Sequence, residues 1–366
     1  MEYNPMEELG LVEDKQFICN CYGFLSKKDN ARRLCSKYIR NGEHFFDVVS
    51  RYDDLVAYAL NRENSRVGST LKMIIPFLKA NGLTDHMAYE FCKEDLQLVP
   101  GADKALRYIF NLLPTFITSS SYEHHMMAVC DATGFPMNNV GCTQMSFDEI
   151  PISRQESKTI REMSTRISNL QIPKTLYTLT NAKSLDDDDA NIVTTLDEIF
   201  VDSLPKMEID KAVKPITAIG ANEKAYALLE IRRKTEIEFN STVYVGGDIT
   251  DFQAMDLVRD SSGLSISYNG SEYAVRGANV AVMSNNAIVV AVLTSEFYNE
   301  GIEAVYELID NWDRDKLEKI SCADRNLMDA MLKTFPKKLP VVKKVDWRNA
   351  NDIVKESETL RKKNIR

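Results

Sequence analysis

The sequence lacks several features that would place it in particular classes of protein. In its 366 residues, no apolar run approaches the roughly 18 residues of a membrane span, and the strongest one, Ala287–Leu293, fits a buried helix. A basic excess is also missing, because the net charge is −9 and the isoelectric point is near 5.2. The acidic first residues do not show the pattern of a signal peptide. We therefore expect a cytoplasmic protein with no membrane span and no nucleic-acid partner.

Paired cysteine motifs are absent as well. The seven cysteines are scattered and odd in number, and none forms a Cys-x-x-Cys pair. This pattern indicates neither a zinc site nor a disulfide framework. A hydrophobic share of 44% and a charged share of 27% are ordinary for a globular protein, and the length suffices for one large core or two domains.

Short apolar segments alternate with segments of helical periodicity along most of the chain. The predicted strands are Gln16–Asn20, Pro114–Thr118, Val140–Cys142, Val243–Val245, Leu264–Tyr268 and Asn279–Met283. Asn269-Gly270 is a turn signal before Glu272–Val275. Strands that alternate with helices predict an α/β fold, a doubly wound and mostly parallel sheet with helices on both faces.

A helical block at 24–113 interrupts the alternation directly after the first strand. We interpret it as a helical cap inserted into an α/β core that comprises 1–23 and 114–336. Within that core, 147–214 is predicted to be a helical insertion, with Asp186–Asp189 as a solvated loop. The last segment, 337–366, is basic and is predicted to be a loosely packed tail.

The most informative segment is Val243–Met255. It predicts a buried strand, a tight turn at Gly246-Gly247, the carboxylates Asp248 and Asp251, and then a helix. Carboxylates at the C-terminal end of a central strand are where α/β proteins hold a metal ion or a phosphate. Alternatively, the two aspartates cap the helix that follows.

Several further motifs complete a resemblance. In order along the chain they are Cys21–Phe24, Leu98–Gly101, Phe116–Ser121, Lys224 and Gly246–Asp251. With these motifs the chain resembles the phosphatases of the haloacid dehalogenase superfamily, which implies a Rossmann-like core with a cap. Supporting segments make it similar to the archaeal branch called energy-converting hydrogenase A subunit R: Ile39–Gly42, Ser50–Asp54, Ser121–His124 and Ile266–Gly270. The similarity spans roughly residues 15–310.

The resemblance implies a phosphoryl-transfer site, and two of its positions carry the wrong chemistry here. The nucleophilic aspartate of the family falls on Asn20, and the general acid/base two residues later falls on Tyr22. An amide is a poor nucleophile, and a tyrosine with a pKa near 10 is poorly suited to proton transfer near neutrality. Alternatively, both are simple turn residues of a decayed site. Cys19 and Cys21 flank Asn20, but no histidine neighbours them in sequence, which argues against a thiol enzyme.

The last motif departs from the family as well. With the glycine of the motif on Gly246, the metal-binding aspartate falls on Gly247, so Asp248 comes one position late and Asp251 takes the second acidic position. The resemblance implies magnesium as the cofactor, with Asp248 and Asp251 as its candidate ligands, and these departures weaken that implication.

The predicted phosphate-binding groups are retained. By the resemblance, Ser119 supplies the hydroxyl, or Thr118 or Ser120 does so if the register slips. Lys224 supplies the positive charge, which Asp251 orients. Without the resemblance, Ser119 would be read as a helix N-cap and Lys224 as a solvated helix residue.

Two functional hypotheses follow. The first is a phosphatase-fold protein with degenerate motifs that binds a phosphorylated or anionic small ligand, or serves as an accessory partner, for which the resemblance implies a hydrogenase complex. The second is a Mg²⁺-dependent phosphomonoester hydrolase with an atypical active site.

Overall fold

The computed structural model describes residues 14–60, 68–172 and 187–364. The strands are β1 (Gln16–Cys19), β2 (Thr115–Tyr122), β3 (Val140–Thr143), β4 (Thr242–Gly246), β5 (Leu264–Tyr268), β6 (Val280–Met283) and β7 (Val341–Lys344). In the described part of the chain they form one sheet in the order β3-β2-β1-β4-β5-β6-β7. All neighbouring pairs are parallel except β6 with β7. The direction in which successive strands are added reverses at β1, because β2 and β3 lie on one side of it and β4, β5 and β6 lie on the other.

Helices occupy most of the remaining described chain. Those in the first half are Asn30–Tyr38, Gly42–Asp54, Thr70–Ala80, Asp85–Asp95, Ala102–Leu112, Glu123–Thr133 and Arg154–Ser168. Those in the second half are Asp187–Asp197, Glu208–Val213, Ala221–Thr235, Phe252–Asp260, Glu272–Gly277, Ile288–Glu300, Ile302–Asp310, Arg314–Leu317, Arg325–Thr334 and Ala350–Asn364. Shorter 3₁₀ and π turns lie at Leu55–Ala59, Met137–Asn139, Glu198–Ser203, Leu204–Lys206, Phe239–Ser241 and Ile249–Asp251.

Side chains of the sheet alternate between two apolar layers. Phe17, Cys19 and Val245 face one hydrophobic cluster, and Ile18 and Tyr244 face another. This is the period-two pattern of a strand that is buried on both faces. The α/β, doubly wound fold predicted from the alternation of segments is therefore confirmed.

The cap differs from the predicted division of the chain. A separate hydrophobic cluster joins the helices of 30–80 to those of 154–168, 187–197 and 208–213. The described parts of 147–214 therefore pack mainly with the cap helices, and Phe147 also contacts Tyr122 of β2. Helix Ala102–Leu112, by contrast, buries Ala105 and Leu106 in the cluster of the sheet. The predicted loop at Asp186–Asp189 is also wrong for its described part, because Asp187 begins a helix and Asp189 is buried.

The C-terminal segment is ordered, contrary to the prediction of a loosely packed tail. Strand β7 pairs antiparallel with β6, and the helix Ala350–Asn364 (the C-terminal helix) packs against the sheet edge through Ile353. The Ser357 hydroxyl donates to the carbonyl of Gly270 at 2.7 Å. Ile353, Ser357 and Arg361 are spaced four residues apart and share one helix face, a weak signal in so polar a segment.

The turn at Asn269-Gly270 leads into the helix Glu272–Gly277 and not into a hairpin strand. Strands β5 and β6 are parallel, and parallel neighbours need a crossover connection, which this helix provides. Asn269 has a positive φ of 46° at the start of this connection.

No helix in the described ranges is both long and apolar enough to cross a membrane.

Candidate functional site

The predicted site residues from three strands meet at one edge of the sheet. Asn20 directly follows β1, Ser119 and Ser120 lie in β2, and Asp248 lies two residues beyond the end of β4. Because β2, β1 and β4 are neighbours, these residues gather where the strand order reverses, which is the usual position of ligand sites in open α/β sheets.

Asn20 is a buried hydrogen-bond donor to the two aspartates. Its side chain is 1% exposed, and its Nδ2 lies 2.9 Å from Asp251 Oδ2 and 3.5 Å from Asp248 Oδ2. The opposite amide orientation would direct its oxygen at two carboxylates, so the network itself selects the donor. The Asn20 Oδ1 atom has no hydrogen-bond partner in the described residues.

Asp251 is saturated by donors. One oxygen accepts from Lys224 Nζ at 2.7 Å and from the Tyr244 hydroxyl at 3.0 Å. The other accepts from Asn20 Nδ2 and from the backbone N–H groups of Gly247 at 2.8 Å and Asp248 at 3.2 Å. A carboxylate offers about four lone-pair positions. Five donors therefore leave none for a metal ion.

Gly246 permits this arrangement. A Cβ atom at that position would lie 2.6 Å from Asp251 Cβ and 2.7 Å from Met255 Sδ, closer than such contacts allow. The glycine at the end of β4 is thus required by the close approach of the Asp251 side chain.

Lys224 is enclosed and not directed at a ligand space. Its side chain is 0% exposed, and Nζ donates to Thr250 Oγ1 at 2.8 Å in addition to Asp251. Asp251 orients Lys224, as expected, but a fully paired ammonium inside the protein serves mainly to neutralise that carboxylate. The alternative interpretation, a solvated helix residue, is wrong.

Asp248 stays ionised and caps the turn that follows it. Its Oδ1 accepts from the Thr250 backbone N–H at 2.8 Å and from the Thr250 hydroxyl at 2.6 Å. Burial acts to raise its pKa, but the charge of Lys224, the Thr250 hydroxyl and the charge of Arg361 outweigh burial, so the pKa is lowered. The capping interpretation holds for this aspartate.

Ser120, rather than Ser119, reaches the open space at the site. Both lie inside β2, which continues to Tyr122, so the alternative interpretation of Ser119 as a helix N-cap is wrong. Ser119 is buried and its hydroxyl accepts from the Ser121 backbone N–H at 3.1 Å. Ser120 and Ser121 line the cavity described below.

Tyr22 lies beside Arg361, a residue that no motif in the sequence identifies as part of the site. The Arg361 guanidinium, from the C-terminal helix, lies 5.8 Å from the centroid of the Tyr22 ring, and its Nη1 donates to the carbonyl of Gly247 at 2.5 Å. Burial raises the pKa of Tyr22 above its ordinary value, although Arg361 opposes this. Tyr22 is therefore protonated near neutrality and is unsuited to be a general base.

Two adjoining cavities open beside these residues. The larger, of about 780 Å³, lies between cap and core and is lined by Tyr22, Ser120 and Asp248 together with charged residues of the cap. The smaller, of about 220 Å³, is lined by Val99, Pro100, Tyr268 and polar groups.

A buried thiol and a histidine lie near each other at this edge. Cys21 Sγ is 3.9 Å from His125 Nε2, a proximity that the sequence separation concealed. Burial raises the pKa of Cys21 to about 12 and lowers that of His125 to about 4. Both groups are therefore neutral near pH 7, and no thiolate nucleophile forms.

The residues at this edge do not fit a magnesium ion. Mg²⁺ requires oxygen ligands in near-octahedral geometry, whereas Asn20 directs N–H groups at both aspartates and Asp251 has no free lone pair. Within the described ranges, no group of three or more His, Cys, Asp or Glu side chains is arranged to hold a metal ion. The positive charges of Lys224 and Arg361 instead face Asp248 and Asp251.

Comparisons with known proteins found similarity in structure alone. No family model matches the chain, and no curated protein matches it. A solved structure of a gene product from Archaeoglobus fulgidus is similar with a TM-score of 0.76 and 23% identity, over 96% of this chain and 97% of that one. Phosphoserine phosphatase in its apo form aligns with a TM-score of 0.46 and 10% identity over 76% of this chain and 98% of that one. Its phospho-aspartyl intermediate analogue also aligns at 0.46, with 10% identity over 77% and 98%. The fold of this chain is therefore an α/β arrangement shared along nearly its whole length with an archaeal protein.

Proposed function

We propose that this chain is a haloacid-dehalogenase-like protein that performs no phosphoryl transfer and binds a small anionic ligand between its core and its cap. The strand order and the convergence of Asn20, Ser120 and Asp248 at the reversal point support the family-like arrangement. The cavity of about 780 Å³ is within the usual range for small-molecule sites, roughly 300–1,000 Å³.

One observation carries the proposal. The Asn20 amide donates to both Asp248 and Asp251 at the position where the resemblance requires a nucleophilic carboxylate. An amide has no negative charge with which to attack phosphorus, and the group that this amide directs at the two aspartates is an N–H donor, which cannot bind a cation between them. The site keeps its structure by hydrogen bonds and by the buried Lys224–Asp251 pair.

The alternative, a Mg²⁺-dependent phosphomonoester hydrolase, requires a different nucleophile and a released carboxylate. Asp248 is the remaining candidate for both roles, but its Oδ1 is engaged by Thr250. Loss of a nucleophile lowers kcat by several orders of magnitude in well-studied hydrolases.

A turnover assay tests the proposal. Purified protein with millimolar Mg²⁺ and a panel of phosphomonoesters is compared with an Asp248→Ala variant prepared identically. We expect no release of phosphate above background from either protein. A kcat of ordinary size in the unmodified protein, abolished by Asp248→Ala, would establish the alternative.

A gain-of-binding experiment tests the assignment of positions. In the triple variant Asn20→Asp, Tyr22→Glu, Gly247→Asp, we expect Mg²⁺ binding by calorimetry, whereas the unmodified protein binds none. The substitution at Gly247 is sterically tolerable, because a Cβ there would lie 3.4 Å from the nearest atom, the Tyr268 carbonyl oxygen. If the folded triple variant fails to bind Mg²⁺, the assignment of these positions is wrong.

The archaeal setting, the cytoplasmic location and a partner in a hydrogenase complex rest on the sequence and its resemblance alone, and they stay predictions.

A further inference from the structure

The two cavities at the site meet at a common wall. Three residues line both of them: Tyr22, Lys27 and Arg361. They come from the loop after β1 and from the C-terminal helix, and none of them is among the predicted phosphate-binding residues. Two of the three, Lys27 and Arg361, are cationic.

Most cations around the larger cavity already have acidic partners. Its six cationic side chains are Lys27, Lys28, Arg32, Arg33, Arg51 and Arg361. Four of them pair with carboxylates, as in Lys28–Asp95 at 3.1 Å, Arg33–Asp95 at 2.9 Å, Arg32–Asp47 at 2.9 Å and Arg51–Asp54 at 3.6 Å. Within the described residues, no ion pair includes Lys27 or Arg361. Neither has a carboxylate within ion-pair distance, although the charge of Arg361 acts on Asp248 from farther away.

Arg361 is held in place before any ligand arrives. One N–H group bonds to the Gly247 carbonyl, and the guanidinium lies over the Tyr22 ring. One turn earlier on the same helix, Ser357 is anchored to Gly270. A guanidinium has five N–H groups, so others stay available, and a fixed fork loses little entropy when it binds an oxyanion.

The acidic side chains around the larger cavity are partly neutralised. They are Asp29, Asp47, Asp53, Asp54 and Asp248. Asp47 is paired with Arg32 through two hydrogen bonds, and Asp29 accepts from the Arg32 backbone N–H. Burial raises the pKa of Asp53 to about 6 and that of Asp54 to about 7, so their charge near neutrality is reduced.

We propose that Lys27 and Arg361 form the anion-binding pair of this protein and that they hold the phosphate group of a small phosphomonoester. This inference rests on the proposed function, in that the cavity binds an anionic ligand, and it names the groups that bind it. Ser120 and Ser121 also line the larger cavity, and hydroxyl donors suit an oxyanion with several acceptor atoms.

The smaller cavity then receives the uncharged part of the ligand. At about 220 Å³ it is below the usual size of a complete ligand site. Its wall combines Val99, Pro100 and the Tyr268 ring with the polar groups of Asn269 and Asn285. A compact substituent that carries one or two polar atoms matches this lining.

Calorimetric titration with inorganic phosphate tests the pair. We expect Arg361→Met to weaken phosphate binding roughly tenfold to a hundredfold, as for loss of a charged hydrogen bond. Arg361→Lys should restore part of the affinity. Lys27→Met should weaken phosphate binding less, by roughly threefold to tenfold, because Lys27 is exposed and its charge is screened.

Lys28→Met is the matched control. Lys28 is the neighbour of Lys27 and lines the same cavity, but it is paired with Asp95, so its removal should change phosphate affinity less than twofold by this reasoning. Circular dichroism verifies that each variant is folded. If Arg361→Met does not fold, the difference in phosphate affinity between Lys27→Met and Lys28→Met tests the proposed pair by itself.

Three results would overturn the assignment: no phosphate binding to the unmodified protein, equal losses in Lys27→Met and Lys28→Met, or acetate binding that exceeds phosphate binding with the same sensitivity to Arg361. Turnover of phosphomonoesters would contradict the proposed function but not this pair, because inorganic phosphate is not a substrate for hydrolysis.

Discussion

Replacement of Asn20 by aspartate perturbs the site at its centre. The change is nearly isosteric, but it converts a donor into an acceptor 2.9 Å from Asp251 Oδ2 and 3.5 Å from Asp248 Oδ2. The site then holds three carboxylates against the charges of Lys224 and Arg361. We expect the variant to be less stable than the unmodified protein at neutral pH.

The size of the effect is limited by protonation. With an effective dielectric constant of about 20, two unit charges about 4 Å apart repel by about 4 kcal/mol. Alternatively the new carboxyl takes up a proton, which at pH 7 costs about 1.36 kcal/mol for each unit above an ordinary pKa of about 3.9, or about 4 kcal/mol in total. The new carboxyl adopts whichever of these two states costs less free energy. Because a protonated carboxyl can again donate to Asp251, we expect the free energy of unfolding to fall by about 2–4 kcal/mol.

The sign of the pH dependence follows from the raised pKa of the new carboxyl. The folded variant binds a proton more tightly than the unfolded chain, so the variant regains stability as the pH falls towards about 4. At pH 5, protonation of the new carboxyl costs only about 1.5 kcal/mol. The difference in unfolding free energy between the variant and the unmodified protein should therefore be smaller at pH 5 than at pH 7.

Urea unfolding at several pH values, with and without millimolar Mg²⁺, measures these effects. We expect Mg²⁺ to stabilise Asn20→Asp and to leave the unmodified protein unchanged. Asn30→Asp is the control, because Asn30 is also buried but donates to Cys92 Sγ, so Mg²⁺ should not repair that variant. A variant as stable as the unmodified protein at pH 7, or equal stabilisation of both by Mg²⁺, would refute the reasoning.

Three further substitutions test other parts of the structure. Lys224→Met leaves Asp251 buried without its cation and should cost about 3–5 kcal/mol in urea unfolding, less when combined with Asp251→Asn; equal losses in the single and double variants would contradict this. Burial raises the pKa of Asp53 to about 6, so its contribution to stability is present below about pH 4 and is lost as the pH rises to about 6; Asp53→Asn should flatten unfolding free energy across that window, and an unchanged slope would count against it. Ser357→Ala removes the buried hydrogen bond that anchors the C-terminal helix and should cost about 1 kcal/mol, with faster amide exchange in 350–364; unchanged exchange there would show that the anchor is unimportant.

The features that were predicted correctly depend on residues that are close together in the sequence. Asp248, which the sequence offers as a cap of the helix that follows it, accepts from the Thr250 backbone N–H. The segment Gly246–Asp251 forms the predicted glycine turn with both carboxylates. In each case the partners are only a few residues apart, so local spacing already determines the contact.

The predictions that failed depend on partners that are distant in sequence. Cap helices before residue 96 pack with those of 154–213, and nothing in their periodicity identifies that partner. Strand β2 ends at Tyr122, four residues past its predicted end at Thr118, and of the two candidates Ser119 and Ser120 it places Ser120 at the cavity. Cys21 and His125 are 104 residues apart and still adjacent.

By itself the sequence determined the α/β class, the order of the strands along the chain and the position of an amide, Asn20, directly after the first strand, because these depend on residue type and local period. Only the tertiary structure decided what surrounds that amide. Lys224 is turned inward onto Asp251, and Arg361, 114 residues beyond Gly247, supplies a cation beside the cavity. The physical reason is that side chains distant along the chain come into contact only after the strands have paired in their final order and the C-terminal helix has packed against the edge of the sheet.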